Sequence, residues 1–202
     1  MNKRIGIDLD HTVANYIGGV VPLIEEVYGL NPRTPVYEGD KIASDLPLMY
    51  GLDVFKDLPG YRDKIHVGKN LFRNLSKLEP GVEKLTHSLS GLPGVKVYMI
   101  TARESHPVVM EDTRKWLGDN DFRYTDVFHE TDKHELCRQM EIDVMYDDSV
   151  RQIVQLVDNG INVVVRDMPW NRDLGIYESK IKRVHNWEDA LIAIRKFIYR
   201  SI

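Results

Sequence analysis

Apolar residues fall along this chain in two kinds of run. Short, nearly continuous stretches recur at RIGIDL (4–9), VKVYMIT (95–101), DVFHE (126–130), DVMYD (143–147) and INVVVRD (161–167). Strands covered on both faces read this way, because neither side of the pleat meets water. Between these runs the apolar residues return with helical spacing. Val150, Ile153, Val154 and Val157 follow i, i+3, i+4, i+7 behind Ser149, and Gly160 stops the run. Trp187, Ala190, Leu191, Ile194, Phe197 and Ile198 form a second stripe behind Asn186.

This alternation predicts an α/β fold, a doubly wound parallel sheet. Ligands of such sheets bind beyond the carboxyl ends of the strands. Asp8, Thr101 and Asp147 each close an expected strand, so three polar clusters should meet in one crevice. Residues 17–77 break the alternation with prolines 22, 32, 35, 47 and 59. They predict a small helical cap inserted after the first strand, with 1–16 and 78–202 forming the core. Tyr16, Tyr28, Tyr37, Tyr50, Phe55, Tyr61 and Phe72 lie in or beside this insertion. Most are expected to fill a small helical core, with one or two facing the crevice to stack on a planar substrate.

Composition narrows the picture. The chain has 202 residues, 43% of them apolar and 29% charged, as in an ordinary globular protein. A net charge of -4 gives no electrostatic case for binding duplex nucleic acid. Cys137 is the single cysteine and is expected to be a small helix residue facing the core, so no internal disulfide and no cysteine-rich zinc site is expected. No apolar run reaches the roughly 20 residues that cross a bilayer, and the charged start MNKRIGIDLD is unlike a secretory signal. A cytoplasmic protein with no membrane partner is the expectation.

The chemistry gathers at four places: DLDHT (8–12), ITAR (100–103), Lys133 in TDKHE, and YDDS (146–149). Each alone has a mundane role, as turn cap, helix cap or solvated lysine. All four in this order, each at a strand end or helix start, point to a shared site. Burying Asp8 and Asp10 there requires something to offset their charge.

With these motifs the chain resembles the haloacid dehalogenase superfamily, whose four motifs match Asp8/Asp10, Thr101, Lys133 and Asp147/Asp148. The run NLFRNLSKLEPGVEKLTHSLSGLPGVKVYMIT and the tail VHNWEDAL resemble 5'(3')-deoxyribonucleotidases and their bacterial and phage relatives. The resemblance implies a HAD-like Rossmannoid core and a Mg²⁺-dependent phosphomonoesterase acting on nucleoside monophosphates. In that chemistry Asp8 is the nucleophile and forms an aspartyl-phosphate. Asp10 protonates the leaving oxygen and then deprotonates water, which calls for a pKa above that of Asp8. Thr101, the Ala102 N–H and Lys133 bind the phosphoryl group. The Asp8 carboxylate, the Asp10 carbonyl and Asp147 or Asp148 hold the Mg²⁺, which offsets the repulsion between a phosphate dianion and an anionic nucleophile.

Further expectations concern single residues. Thr12 is expected to stabilise its turn. His11 stands where many relatives have glycine, and is read as a tolerated variation ahead of a substrate contact. Arg103 either reaches a substrate phosphate or pairs with Glu104 or Asp112 at the surface. Trp170 and Asn171 are candidates for the crevice rim. A polynucleotide 3'-phosphatase or sugar-phosphate phosphatase keeps the same chemistry, and an inactive nucleotide-binding relative is a third reading. Members of the family are often dimers, so a homodimer is among the implications.

Overall fold

A computed structural model describes residues 2–32 and 46–199. Tyr37 and the region around Pro35 lie outside the described residues. Six strands form one all-parallel sheet in the order β3-β2-β1-β4-β5-β6. They are β1 (Lys3–Ile7), β2 (Val95–Thr101), β3 (Asp126–His129), β4 (Val144–Asp147), β5 (Asn162–Arg166) and β6 (Ile181–Val184). The five expected strands are all present, within one or two residues of their expected bounds. β6 is an addition, an edge strand whose four residues, IKRV, include two cations. So short and charged a stretch carries no apolar run to read.

The continuous apolar runs resolve into two cores. Val97 and Met99 of β2, Val144 and Tyr146 of β4, and Val164 of β5 pack on one face of the sheet. That face is covered by α4 (Glu83–Ser90), α5 (Pro107–Asp119) and α8 (Trp187–Tyr199). Tyr98, Ile100, Met145, Val163 and Val165 face the other way, against α6 (Lys133–Gln139) and α7 (Val150–Asp158). Residues alternate between faces with period 2, and both faces are dry. Cys137 of α6 is buried in the second core as a free thiol. In the middle of β1, a Cβ on Gly6 would run into the Met145 sulfur, so only glycine lets these neighbours close up.

The insertion between β1 and α4 carries α1 (Tyr16–Tyr28), the short helices α2 (Leu46–Tyr50) and α3 (Val54–Asp57), a π-helical turn at Arg62–Val67 and a 3-10 turn at Leu71–Arg73. The Asn15 carboxamide accepts from the Gly18 N–H at 3.0 Å and starts α1. Ile17, Val20 and Ile24 of α1 belong to the same hydrophobic cluster as the first face of the sheet, together with Tyr50, Tyr61 and Phe72. Two details differ from expectation. A helix expected to begin near Pro80, where the core resumes, is α4 and begins at Glu83. Ser149 precedes α7, but its side chain makes no capping bond, whereas Asn186 does cap α8, accepting from the Asp189 N–H at 2.7 Å.

Candidate active site

The strand ends of β1, β2 and β4 and the start of α6 open on one cavity of about 370 Å³. Asp8, Asp10, His11, Thr101, Ala102, Lys133, Asp148 and Trp170 are among its lining residues. The chain leaves β1 through a tight turn in which Leu9 O accepts from Val13 and Ala14 at 2.9 and 2.8 Å. Leu9 is buried in the core while Asp8 and Asp10 face the cavity, as alternation requires. His11 sits in the turn with φ +63. That left-handed conformation favours glycine, so the side chain at His11 is held there against a steric cost.

Lys133 is a buried ammonium between two carboxylates, 2.5 Å from Asp8 Oδ1 and 2.7 Å from Asp147 Oδ2. Burial alone would lower its pKa, but Asp147 and Asp8 outweigh that and raise it. The Thr12 hydroxyl lies 3.2 Å from both Asp8 Oδ2 and Asp148 Oδ1. Its single proton serves only one acceptor at a time. Thr12 thus does more than hold its turn, since it bridges two motifs. Asp8, Asp147 and Asp148 bring carboxylate oxygens within 4.8 Å of one another, and Lys133 is the one cation among them.

The charge balance is therefore negative. Burial, with Asp147 and Asp10 adding to it and Lys133 opposing, pushes the Asp8 carboxyl up to about 7. Burial, with Asp8 and Asp147, also raises Asp148 well above the carboxylate range. An all-oxygen donor set short of positive charge suits a hard divalent cation. Asp147 and Asp148 are not equivalent in it. The Asp147 oxygens are taken by Lys133 and by the Ser149 N–H at 2.9 Å, and the residue does not line the cavity. Asp148 does line it, held by the Trp170 Nε1–H at 3.0 Å on Oδ2.

Asp10 is tied to Arg103. Burial pushes its carboxyl up, but the charge and hydrogen bonds of Arg103 more than offset that, and its pKa lies below the ordinary value. The expected order, with Asp10 above Asp8, belongs to a site in which a metal ion also stabilises the Asp8 charge. Arg103 itself pairs with neither Glu104 nor Asp112. Its Nε and Nη2 donate to the two Asp10 oxygens at 2.9 and 2.7 Å. Asn171 is also reassigned from the rim. It is fully buried, donating to the Asp148 and Arg166 carbonyls at 2.8 Å and accepting from Arg183 Nη1 at 2.7 Å. Asn171 is an internal brace, whereas Trp170 does reach the cavity.

A second cavity, about 440 Å³, adjoins the first and shares Asp10, His11 and Ala102 with it. The inserted segment supplies Phe55, Arg62, His66 and Phe72, and Tyr16 at its start adds a fifth side chain. Thus three of the aromatic residues singled out face a crevice, while Tyr50 and Tyr61 are buried in the core. A chain of polar contacts crosses this cavity wall. Tyr61 and Tyr16 hydroxyls lie 3.2 Å apart, Tyr16 is 3.1 Å from His66 Nε2, and His66 Nδ1 is 3.1 Å from Glu104. With Nδ1 protonated toward Glu104, Nε2 accepts from Tyr16. His66, Glu104 and Arg62 are not among the site residues expected from the sequence. The only signal was the position of Glu104 three residues past the strand end at Thr101. His11 packs edge-on to Trp170 at 5.0 Å and to Tyr16 at 6.0 Å, between the two cavities.

Comparison with known proteins agrees with this geometry. The chain is 26% identical over 193 residues to a Staphylococcus epidermidis protein named "Putative 5'(3')-deoxyribonucleotidase", covering 93% of each chain. It is 29% identical over 205 residues to a Halalkalibacterium halodurans protein named "Putative nucleotidase", covering 98% of this chain and 96% of that one. Among solved structures, a haloacid dehalogenase-like family hydrolase from Streptococcus pneumoniae shares the fold, with a TM-score of 0.61 at 12% identity over 96% of this chain and 98% of that one. The CbbY protein of Rhodobacter sphaeroides does so with a TM-score of 0.58 at 14% identity, over 93% and 95%. Residues 2–198 match the model of the family described as 5' nucleotidase, deoxy (pyrimidine), cytosolic type C protein (NT5C). The chain belongs to that family of phosphoric monoester hydrolases, on the HAD-like fold.

Proposed function

We propose that this protein hydrolyses nucleoside monophosphates, 5'(3')-deoxyribonucleotides in particular, with Mg²⁺ as its metal. The observation that carries the reading is the pair of adjoining cavities. One is charged and fitted to a phosphoryl group, the other is aromatic and fitted to a nucleoside, and Asp10, His11 and Ala102 stand between them.

Asp8 attacks phosphorus in line. A bond forms between its carboxylate oxygen and phosphorus as the ester P–O bond breaks, and Asp10 gives its proton to the departing alkoxide oxygen, which leaves as the nucleoside hydroxyl. Water then attacks the aspartyl-phosphate, Asp10 takes the proton back, and phosphate leaves with Asp8 regenerated. Arrival of a phosphate dianion beside Asp10 raises its affinity for the proton it must give. Thr101 and the Ala102 N–H hold phosphoryl oxygens, and Lys133 adds a fixed positive charge. The Asp8 and Asp148 carboxylates and the Asp10 carbonyl are the groups that would hold Mg²⁺, with Asp147 anchoring Lys133 behind them. When bound, the ion supplies the positive charge that this carboxylate cluster lacks. Residues 17–77 act as a cap whose Phe55 and Phe72 side chains, together with Tyr16 just before it, cover the nucleoside.

The test is phosphate release from a panel of ribo- and deoxyribonucleoside 5'- and 3'-monophosphates, with Mg²⁺ and with a chelator. Release from deoxyribonucleotides that the chelator abolishes is the expected result. Activity confined to sugar phosphates would overturn the substrate assignment, and no release from any phosphomonoester would overturn the reading.

A further inference from the structure

We infer that Arg103 is a positioning residue that aims the Asp10 carboxylate at the leaving oxygen, and not a ligand of the substrate phosphate. The inference rests on the reading of Asp10 as proton donor given above.

The geometry is specific. Arg103 reaches Asp10 across 93 positions of sequence and meets it with a fork, Nε to Oδ2 and Nη2 to Oδ1. Two parallel hydrogen bonds fix the plane of a carboxylate in a way that a single bond or a point charge does not. The guanidinium is itself immobilised. Its third nitrogen, Nη1, donates to Thr113 Oγ1 at 3.0 Å, and Thr113 is anchored in α5 by donating to the Val109 carbonyl at 2.7 Å. Phe72 covers its face, with the guanidinium carbon 4.4 Å from the ring centre. Only 1% of the Arg103 side chain is exposed, against 24% for Asp10. Asp10 is thus the half-open group of the pair, and Arg103, although it lines the second cavity, is almost wholly covered by Asp10, Thr113 and Phe72.

The backbone around Asp10 is already fixed by its pairing with Ala14 and by the turn at His11. What remains free is rotation of the side chain, and the fork removes that freedom. It does so without blocking proton transfer. A carboxylate offers about four lone-pair positions, and the fork takes two of them, so each oxygen keeps one for the leaving group or water. Displacement of a catalytic group by about 1 Å costs on the order of 100-fold in rate, which sets the expected size of the effect.

The test compares two esters. A nucleoside monophosphate has an alkoxide leaving group that needs a proton, whereas p-nitrophenyl phosphate departs as a stable phenolate and needs none. The value of kcat/KM reports steps up to the first irreversible one, the transfer to Asp8. For Arg103→Ala we expect kcat/KM on the nucleotide to fall about 100-fold while that on p-nitrophenyl phosphate falls less than about fivefold. Inhibition by inorganic phosphate should stay within about twofold, because no phosphate ligand has been removed. Arg103→Lys keeps the charge but not the fork and should recover less than about a tenth of the lost nucleotide activity. Thr113→Val, which removes only the anchor of Nη1, should lower the ratio of nucleotide to aryl ester in the same direction by about threefold, and serves if Arg103→Ala does not fold.

Equal losses on both esters, a large weakening of phosphate inhibition, or full rescue by Arg103→Lys would each overturn the inference. A wild-type protein that cleaves p-nitrophenyl phosphate but no nucleotide would overturn the substrate reading. Arg103→Ala would then be compared on an alkyl phosphate, where an undiminished rate overturns the positioning role.

Discussion

The two adjoining cavities are built on opposite principles. The first is made of charge placed at strand ends. Asp8, Thr101 and Asp147 sit at or one residue beyond the ends of β1, β2 and β4, and Lys133 opens α6. The sheet fixes their separations, and hydrogen bonds fix their rotamers. The second is made largely of aromatic surface, carried by the start of α1, the short helix α3, a π-helical turn and a 3-10 turn. Rigid backbone suits a cluster that must hold like charges together and reproduce one geometry at each turnover. Adaptable packing suits a surface that has only to cover a flat, weakly polar group. In the proposed reaction the first cavity carries the chemistry and the second carries affinity.

Perturbing each cavity separately tests that division. The largest effect should come from Asp8→Asn, which removes the proposed nucleophile and should cut turnover by about 10⁴-fold or more, with nucleotide binding measured by calorimetry largely retained. Loss of binding together with turnover would mean that the two cavities are not separable. Next comes the asymmetry of the aspartate pair. Loss of an outer partner of a metal ligand costs about 10- to 100-fold in metal affinity. Asp147→Asn should fall in that range and Asp148→Asn beyond it, as read from Mg²⁺ titrations of activity. The reverse order would reassign the ligand.

The second cavity should respond in KM. Phe55 is 47% exposed, so Phe55→Ala should spare the fold. It should raise KM for nucleotides about tenfold, since stacking on a base is worth about 1–3 kcal/mol, and leave phosphate inhibition unchanged. A fall in kcat instead would place Phe55 in the chemistry.

A smaller effect concerns pH. Burial, opposed by Glu104, depresses the pKa of His66 below 6.5. The unfolded chain therefore takes up this proton first, and stability falls as pH drops from about 6.5 toward the folded value, by at most ~1.4 kcal/mol per unit. Melting curves at pH 7.5 and 5.5 should show a smaller drop for His66→Gln than for the wild type. Smallest is His11→Gly. Relief of the left-handed conformation, worth about 1 kcal/mol, offsets the lost contacts with Trp170 and Tyr16, and Tm should move by less than about 4 °C. A large drop would show that the His11 ring is a structural wedge.

Much of the first cavity was legible because its residues lie where strands end, and strands buried on both faces announce themselves as apolar runs. The same logic failed at β6, where two of four residues are charged. It failed differently at Arg103. Glu104 and Asp112 are its near neighbours in sequence, and nothing local points to a carboxylate 93 residues away. For Asn171 the residue type suggested a polar rim, yet four hydrogen-bonding groups from the loops after β4 and β5 and from β6 bury it completely.

The sequence by itself determined the parallel sheet, the turn that sends Leu9 inward and two aspartates outward, and the convergence of four motifs. These follow from periodicity and topology, which local residue order encodes. Tertiary structure alone decided that Asp148 rather than Asp147 faces the cavity, that Arg103 clamps Asp10, and that Tyr16, Phe55 and Phe72 line the second cavity. Each of these depends on distances of a few ångströms between residues far apart in the chain. Desolvation and Coulomb energies turn on such distances, and no spacing within the chain specifies them.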